Sequence, residues 1–287
     1  MEIQWKYEQR EHMRIRKKKE VVYLTYPAFD ELRGFCHGFS TRLGGVSRGI
    51  FSSMNLSFTR GDDDRAVLEN YRRIADALGF SIEKAVCSDQ THTANVRRVY
   101  EGDGGKGIVR RKDYTDVDGL VTDVPGLTLV TSYADCVPLF FIDPVKRAVG
   151  LSHSGWRGTV GKIGAVTVKK MQEEFGSRPE EILAAIGPSI CQDCYEVSED
   201  VAAEFRAAFW ENRKEKTLLY EKEDGKYQLN LWRANELVLL EAGILLEHIN
   251  FPGICTCCNP QFLFSHRASH GKRGNLSAFL GICEAME

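Results

Sequence analysis

Apolar residues recur every three or four positions in four stretches of the chain, and this spacing predicts four amphipathic helices. They are expected at residues 62–78, 158–175, 198–210 and 231–242. A glycine comes directly after three of these stretches, and glycine is common just past the last residue of a helix. Ser198, followed by two acidic residues, is a typical start for the third helix.

Short runs of β-branched and apolar residues predict strands between and after these helices. The runs cover residues 127–132, 138–142, 148–152, 182–186 and 276–282. Strands follow one another in the middle of the chain without helices between them, whereas the helices cluster elsewhere. This order favours an α+β fold with mixed sheets over a doubly wound α/β fold.

Composition narrows the class of protein. A chain of 287 residues can bury a large core as one or two domains. Its 38 Lys plus Arg balance 40 Asp plus Glu, so neither nucleic acid nor another polyanion is an expected partner. No apolar run approaches the about 18 residues that span a membrane, and residues 1–20 are polar, so a cytoplasmic protein without a membrane anchor is expected. We predict an N-terminal extension over 1–20 and one domain over 21–287.

Two metal-binding residue types follow the central strands. The links 133–137 and 143–147 are too short for a helical crossover, so the three central strands are expected to form an antiparallel meander. Cys136 follows the first strand and His153 the third, and these strands would point the same way. Both side chains should therefore lie at one edge of the sheet.

His92 offers a third ligand, because it follows the short apolar run 85–87. A His, Cys, His set with one open position is typical of a catalytic zinc site, which predicts one zinc ion per chain. Spacing alone leaves open that these histidines are ordinary structural residues.

Neighbouring residues strengthen the hypothesis of a metal site. Asp135 precedes Cys136, and we include it among the candidate catalytic residues because it could hydrogen-bond a ligand. After His153, Trp156 and Arg157 lie in a turn before a predicted helix, where backbone N–H groups can bind an anion.

A Gly-Gly loop flanked by Arg42 and Arg48 is a candidate phosphate site. Its glycines let backbone N–H groups approach an anion, and an arginine can hold phosphate through two hydrogen bonds. The alternative is an ordinary turn with solvated arginines.

Seven motifs, in this order along the chain, together resemble the laccase-domain family, whose members are also named polyphenol oxidase-like proteins, purine nucleoside phosphorylases and peptidoglycan editing factors. The resemblance covers about residues 37–282. The motifs are HGFSTRLGGVS from His37, QTH from Gln90, DGLVT from Asp118, ADC from Ala134, SHSGWRG from Ser152, GPSICQDCYEV from Gly187 and FSHR from Phe264.

The resemblance implies a single domain with a layered α-β-β-α arrangement and a zinc ion held by His92, Cys136 and His153. It implies phosphorolysis of adenosine, inosine, guanosine and methylthioadenosine, a transferase reaction, and hydrolytic deamination of adenosine. The expected partners are thus a small nucleoside and phosphate. Substrate-binding residues would be Arg42, Arg48, Gln90, Arg157 and Tyr195.

The nine cysteines are an odd number in a chain without an export signal, which favours thiols or metal ligands over disulfides. The spacing of Cys191 and Cys194, with the later group Cys255, Cys257 and Cys258, would permit a structural zinc site. The resemblance supplies no second metal, so we expect these five residues to be thiols.

Four other functions remain open from the sequence. A zinc amidase could edit peptidoglycan precursors, and a metal-free hydrolase could use Cys136 as nucleophile with His153 as base. A copper phenol oxidase fits less well, because seven scattered histidines are few for a multi-copper site. The fourth is a non-enzymatic binding module. The oligomeric state does not follow from the sequence.

Overall fold

Six α-helices and fifteen strands lie within the residues that the computed structural model describes, which are 2–6, 12–212 and 218–284. No helix in these ranges is long and apolar enough to cross a membrane. The helices are α1 (Pro27–Asp30), α2 (Asp64–Leu78), α3 (Trp156–Val160), α4 (Ile163–Phe175), α5 (Glu199–Ala208) and α6 (Leu231–Glu241).

The strands form two six-stranded sheets and one small sheet, with both parallel and antiparallel neighbours. In spatial order, the first sheet contains β1 (Arg14–Lys18), β2 (Val21–Thr25), β3 (Phe35–Ser40), β15 (Leu276–Ile282), β7 (Thr128–Tyr133) and β4 (Ala85–Cys87). The second contains β14 (Ile249–Asn250), β10 (Leu183–Ile186), β8 (Val137–Asp143), β9 (Ala148–Ser154), β6 (Gly119–Thr122) and β5 (Val96–Arg98). The small sheet contains β11 (Glu196–Val197), β13 (Tyr227–Leu229) and β12 (Leu219–Glu221).

Side chains point alternately to the two faces of each strand, so each large sheet packs against the other sheet on one face and against helices on the other. The fold therefore has four layers. In β8, Phe140 and Ile142 point into the core between the two large sheets, whereas Leu139 and Phe141 belong to the core that α4 and α6 cover. On the far side, α2 covers the first sheet. The predicted α-β-β-α single domain with mixed sheets is therefore confirmed.

The predicted helices are present, with one correction. Helix α2 starts after Asp63, whose carboxylate accepts the Arg65 N–H, and ends at Gly79 with φ of 80°. The predicted helix 158–175 is instead two helices, α3 and α4. Lys162 between them has φ of 54°, a left-handed conformation that interrupts the helical hydrogen bonds.

The predicted meander of three strands is wrong. Strand β7 belongs to the first sheet, where six residue pairs join it to β15, while β8 and β9 pair in the second sheet. The link 134–136 therefore crosses between two facing sheets, and Asp135 within it has φ of 83°. Residues 14–18 of the predicted polar extension form β1, an edge strand whose five side chains are all exposed.

We expect Phe140→Ala to lower the free energy of unfolding by about 3–5 kcal/mol, because it leaves a cavity between the two sheets. Phe140 is fully buried, whereas Val145 in the β8–β9 turn is 61% exposed. Denaturant unfolding of Val145→Ala should change the free energy by less than about 0.5 kcal/mol. Similar losses in both variants would contradict the assignment of Phe140 to the core.

Candidate metal centre

His92, Cys136 and His153 meet at the rim between the two sheets, with one ligand atom of each within 4.8 Å of the others. The antiparallel register of β8 and β9 pairs Val137 with Ser154, so Cys136, just before β8, lies beside the end of β9. The His92 loop follows β4 and reaches the same point. His92 has φ of 67°, and its ring centroid lies 4.9 Å from that of His153.

The buried carboxylate of Asp118 holds this arrangement. One oxygen accepts hydrogen bonds from the His153 ring at Nδ1 (2.8 Å) and from the His92 N–H (3.1 Å). The other accepts the N–H groups of Thr91 and Thr93, both at 3.0 Å. A donor role for Nδ1 leaves Nε2 of His153 available to a metal, as is usual for metal-binding histidines.

The electrostatics of the group favour a negatively charged sulfur. Burial opposes ionisation of Cys136, but the charge of His153 and hydrogen bonds from both histidines lower the pKa of Cys136 to about 6. Burial likewise opposes protonation of His153, yet the Cys136 charge and the Asp118 hydrogen bond raise the pKa of His153 to about 9. Burial acts against ionisation of Asp118, and the His153 and backbone hydrogen bonds lower its pKa to about 2.

Gly155 leaves room at the three ligands. A Cβ atom at this position would lie 3.0 Å from Cδ2 of His92 and 3.2 Å from Sγ of Cys136. The absence of a side chain here, together with one thiolate and two imidazoles, fits a zinc site with one open coordination position.

Two cavities meet at His92 and Cys136. The first, of about 260 Å³, is lined by Thr91, His92, Asp135, Cys136, Trp156, Arg157, Ile190, Tyr195 and Leu231. The second, of about 400 Å³, also contacts His153 and is mostly polar; its walls include Ser57, Thr59, Gln90, Lys112, Arg273 and Asn275. A further cavity of about 440 Å³ between the β1–β2 turn and α2 is lined mainly by charged side chains and contains none of the predicted site residues.

Asp135 and Gln90 lie at the site and have protein partners. The Asp135 carboxylate accepts hydrogen bonds from the Thr256 hydroxyl (2.6 Å) and the Arg267 N–H (2.7 Å). Gln90 bonds both the N–H and the carbonyl of Ser132 on β7, which fastens the His92 loop to the first sheet. Both residues are thus placed to position the ligands.

The structure places Arg157 and Tyr195 in the first cavity. The Arg157 guanidinium stacks 4.1 Å above the Trp156 ring, and Arg267 lies over the Tyr195 ring at 5.6 Å. Burial raises the pKa of the Tyr195 phenol, so this side chain remains neutral.

The structure does not bring Arg42 to either cavity. Its guanidinium donates to the backbone carbonyls of Ser52 (3.0 and 2.8 Å) and Pro260 (2.7 Å). The glycines beside Arg42 allow the loop backbone to pack closely against neighbouring backbone, since a Cβ at Gly45 would lie 2.1 Å from the Ser53 carbonyl oxygen. Arg48 is exposed and also lies outside both cavities.

Sequence reasoning did not assign roles to Asp118 and Arg273. Asp118 begins the DGLVT motif, and its position before a buried strand, β6, was an available signal. Arg273 carried no such signal, because a loop far along the chain brings it to the second cavity.

The comparisons with known proteins agree with the fold and the motifs. Residues 36–283 match the sequence profile described as multi-copper polyphenol oxidoreductase laccase. Purine nucleoside phosphorylase YlmD of Bacillus subtilis (strain 168) is 39% identical over 251 residues, covering 86% of this chain and 88% of that protein. Adenosine deaminase RL5, from an unknown prokaryotic organism, is 35% identical over 231 residues, covering 80% of this chain and 87% of that protein.

Solved structures share the architecture. The crystal structure of YlmD from Geobacillus stearothermophilus has a TM-score of 0.84 and 36% identity, covering 99% of this chain and 100% of that one. The hypothetical protein YfiH of Bacillus licheniformis has a TM-score of 0.86 and 34% identity, covering 93% and 98%.

We expect Asp118→Asn to weaken zinc binding about 10- to 100-fold, because the amide can no longer anchor both His153 and the His92 loop as a charged acceptor. Competition with a chromophoric chelator measures this affinity. Asp123→Asn is the matched control, since Asp123 lies at the other end of β6 and pairs with Arg98 at 2.9 Å. Equal affinities in the parent and both variants would contradict the anchoring role of Asp118.

Proposed function

The chain belongs to the family described as multi-copper polyphenol oxidoreductase laccase, and on that premise we propose that it is a zinc-dependent purine nucleoside phosphorylase that also deaminates adenosine. Its proposed substrates are adenosine, inosine, guanosine and methylthioadenosine. The relatives' names support an enzyme acting on small nucleosides.

The observation that carries the proposal is the position of the His92, Cys136 and His153 group between two cavities of different chemistry. The first has flat and apolar walls, including Trp156 and Tyr195, which suit a purine ring. The second is polar and suits a ribose and a phosphate ion.

Arg273 is the proposed phosphate ligand. Burial and the nearby charge of Arg60 lower the pKa of Arg273 to about 10, so it remains a cation at neutral pH. Its buried Nε–H has no hydrogen-bond acceptor, and no carboxylate in the described ranges forms an ion pair with it. An anion in the second cavity would satisfy this donor and charge.

The proposed reaction transfers the ribosyl group to phosphate. A phosphate oxygen forms a bond to the anomeric carbon, the glycosidic bond breaks, and the purine leaves with its electron pair. Arg273 orients the phosphate, while Trp156 and Tyr195 hold the base. His92, Cys136 and His153 would hold the zinc ion, which would supply Lewis-acid chemistry. Deamination consumes water and releases ammonia, so it does not need the phosphate ligand.

The ligand set favours zinc over a multi-copper centre. Within the described ranges, two groups of side chains have metal-binding geometry, and only one of them contains histidine. That group supplies two imidazoles and one thiolate, whereas the other contains four cysteines.

A metal-free cysteine hydrolase is a second candidate function. Cys136, His153 and Asp118 form a chain of nucleophile, base and orienting carboxylate, and the pKa of the Cys136 thiol is lowered. Such an enzyme would keep its activity in a chelator, whereas the proposed phosphorylase would lose it. A zinc amidase acting on peptidoglycan precursors would require zinc and would not release purine bases.

The direct test incubates the purified protein with inosine or adenosine, with and without phosphate, and separates the products. We expect hypoxanthine from inosine only when phosphate is present, and inosine from adenosine in either condition. Failure to release any purine base in phosphate would refute the phosphorylase.

We expect Arg273→Ala to reduce phosphorolysis of adenosine about 10²-fold, equivalent to about 2.7 kcal/mol of barrier, because the phosphate loses its ligand. Inosine formation from adenosine should fall much less, since water needs no cationic ligand. Lys272→Ala, which removes an adjacent exposed charge, should leave both rates near the parent's. Equal losses of both activities in Arg273→Ala would show that Arg273 supports the fold or the nucleoside.

A further inference from the structure

Four cysteines gather at a place that the proposed reaction does not use. Their Sγ atoms all lie within 4.8 Å of one another, and the residues are Cys191, Cys194, Cys255 and Cys258. They form two Cys-x-x-Cys turns, and the second turn ends at Cys258, while Cys257 lies outside the group. The sequence predicts five thiols here, and the structure brings the sulfur atoms of four of them together.

The sulfur geometry matches a tetrahedral metal site. The Sγ atom of Cys258 lies 3.5 Å from that of Cys194 and 4.0 Å from that of Cys191. A tetrahedron with Zn–S bonds of about 2.3 Å has S···S edges of about 3.8 Å. The two Cys-x-x-Cys spacings are also those of structural zinc sites.

A backbone N–H group already points at one of the sulfurs. The Cys191 N–H donates to Sγ of Cys255 at 3.2 Å. Such a hydrogen bond stabilises sulfur in its thiolate form. The Cys194 N–H donates to the Cys191 carbonyl at 3.1 Å and closes the first turn.

The charge balance calls for a cation. Four thiolates whose sulfur atoms lie within 4.8 Å of one another would repel each other strongly. Lys6, whose ammonium pairs with Asp193 at 3.0 Å, adds one positive charge nearby. One ammonium does not balance four thiolates, but a bound divalent ion would permit all of them to ionise.

We propose that Cys191, Cys194, Cys255 and Cys258 bind one zinc ion in a structural site, distinct from the His92, Cys136 and His153 centre. All four coordination positions are filled by protein sulfur, so the ion has no open position for a substrate. Binding releases the thiol protons as four Zn–S bonds form, and no redox step is involved.

The site would fasten two loops that support the first cavity. The Ile190 N–H donates to the Asp135 carbonyl at 3.0 Å, and the Thr256 hydroxyl donates to the Asp135 carboxylate at 2.6 Å. The Thr256 N–H also donates to the Ser189 carbonyl at 3.1 Å. The zinc would therefore fix the positions of Ile190 and Thr256, the two hydrogen-bond partners of Asp135, which precedes Cys136.

Metal analysis of Cys136→Ala tests the proposal in a folded protein. We expect two zinc ions per parent chain and one in the variant, because the first centre loses a ligand. X-ray absorption of the variant should show four sulfurs at about 2.3 Å and no nitrogen. A variant without zinc, with bound iron, or with nitrogen ligands would overturn the proposal.

A second pair of changes in the Cys136→Ala background assigns the ligands. Cys258→Ser should lose the remaining zinc, whereas Cys257→Ser should keep it, because Cys257 is a neighbour outside the group. Retention of a full zinc ion in Cys258→Ser would overturn the ligand assignment.

The oxidation state of the parent protein provides a check that needs no substitution. Native mass spectrometry should give the mass of the chain plus two zinc ions. Denaturation in a chelator with an alkylating reagent should then label all nine cysteines. A disulfide within the group of four would overturn the proposal.

Discussion

The buried Asp118 carboxylate is the constraint on which the arrangement of His92, Cys136 and His153 depends. It is a full charge without solvent contact, so its oxygens must find donors in the protein. Those donors are three consecutive backbone N–H groups of the His92 loop and the His153 ring. The Asp118 carboxylate therefore has all of these hydrogen-bond donors only when His153 and the His92 loop are in the positions seen here. The candidate metal centre and the local fold are therefore stabilised by the same hydrogen bonds.

Asp135 has a corresponding role on the opposite side of Cys136. It lies on the link between the two large sheets, and it contacts both loops that carry the four-cysteine group. Direct hydrogen bonds thus connect those loops to Asp135, the residue before Cys136. Hydrogen bonds of Asp135 therefore connect the four-cysteine group with the group of His92, Cys136 and His153, although the proposed roles of the two groups differ.

Local patterns predicted much of this protein, and contacts distant in sequence account for the failures. The helices follow from apolar periodicity and from glycines at their ends. Cys136 and His153 met as predicted although the meander was wrong, because the β8–β9 pairing alone brings them together. Arg42 was assigned to phosphate from its Gly-Gly loop, but its guanidinium donates to the carbonyls of Ser52 and of Pro260, which lies 218 residues away. The sequence named Cys255, Cys257 and Cys258 together, and only the folded structure shows that Cys255 and Cys258 join Cys191 and Cys194.

Strand β1 has a consequence for the behaviour of the protein in solution. It ends the first sheet, so its outer edge has no strand partner among the described residues and could pair with a strand of another molecule. Four of its five residues are Arg or Lys, and all five side chains are exposed. Like charges on two approaching copies would repel each other along this edge. Arg14 and Arg16 also pair with Asp30, and charged side chains along an edge strand disfavour edge-to-edge association of two sheets.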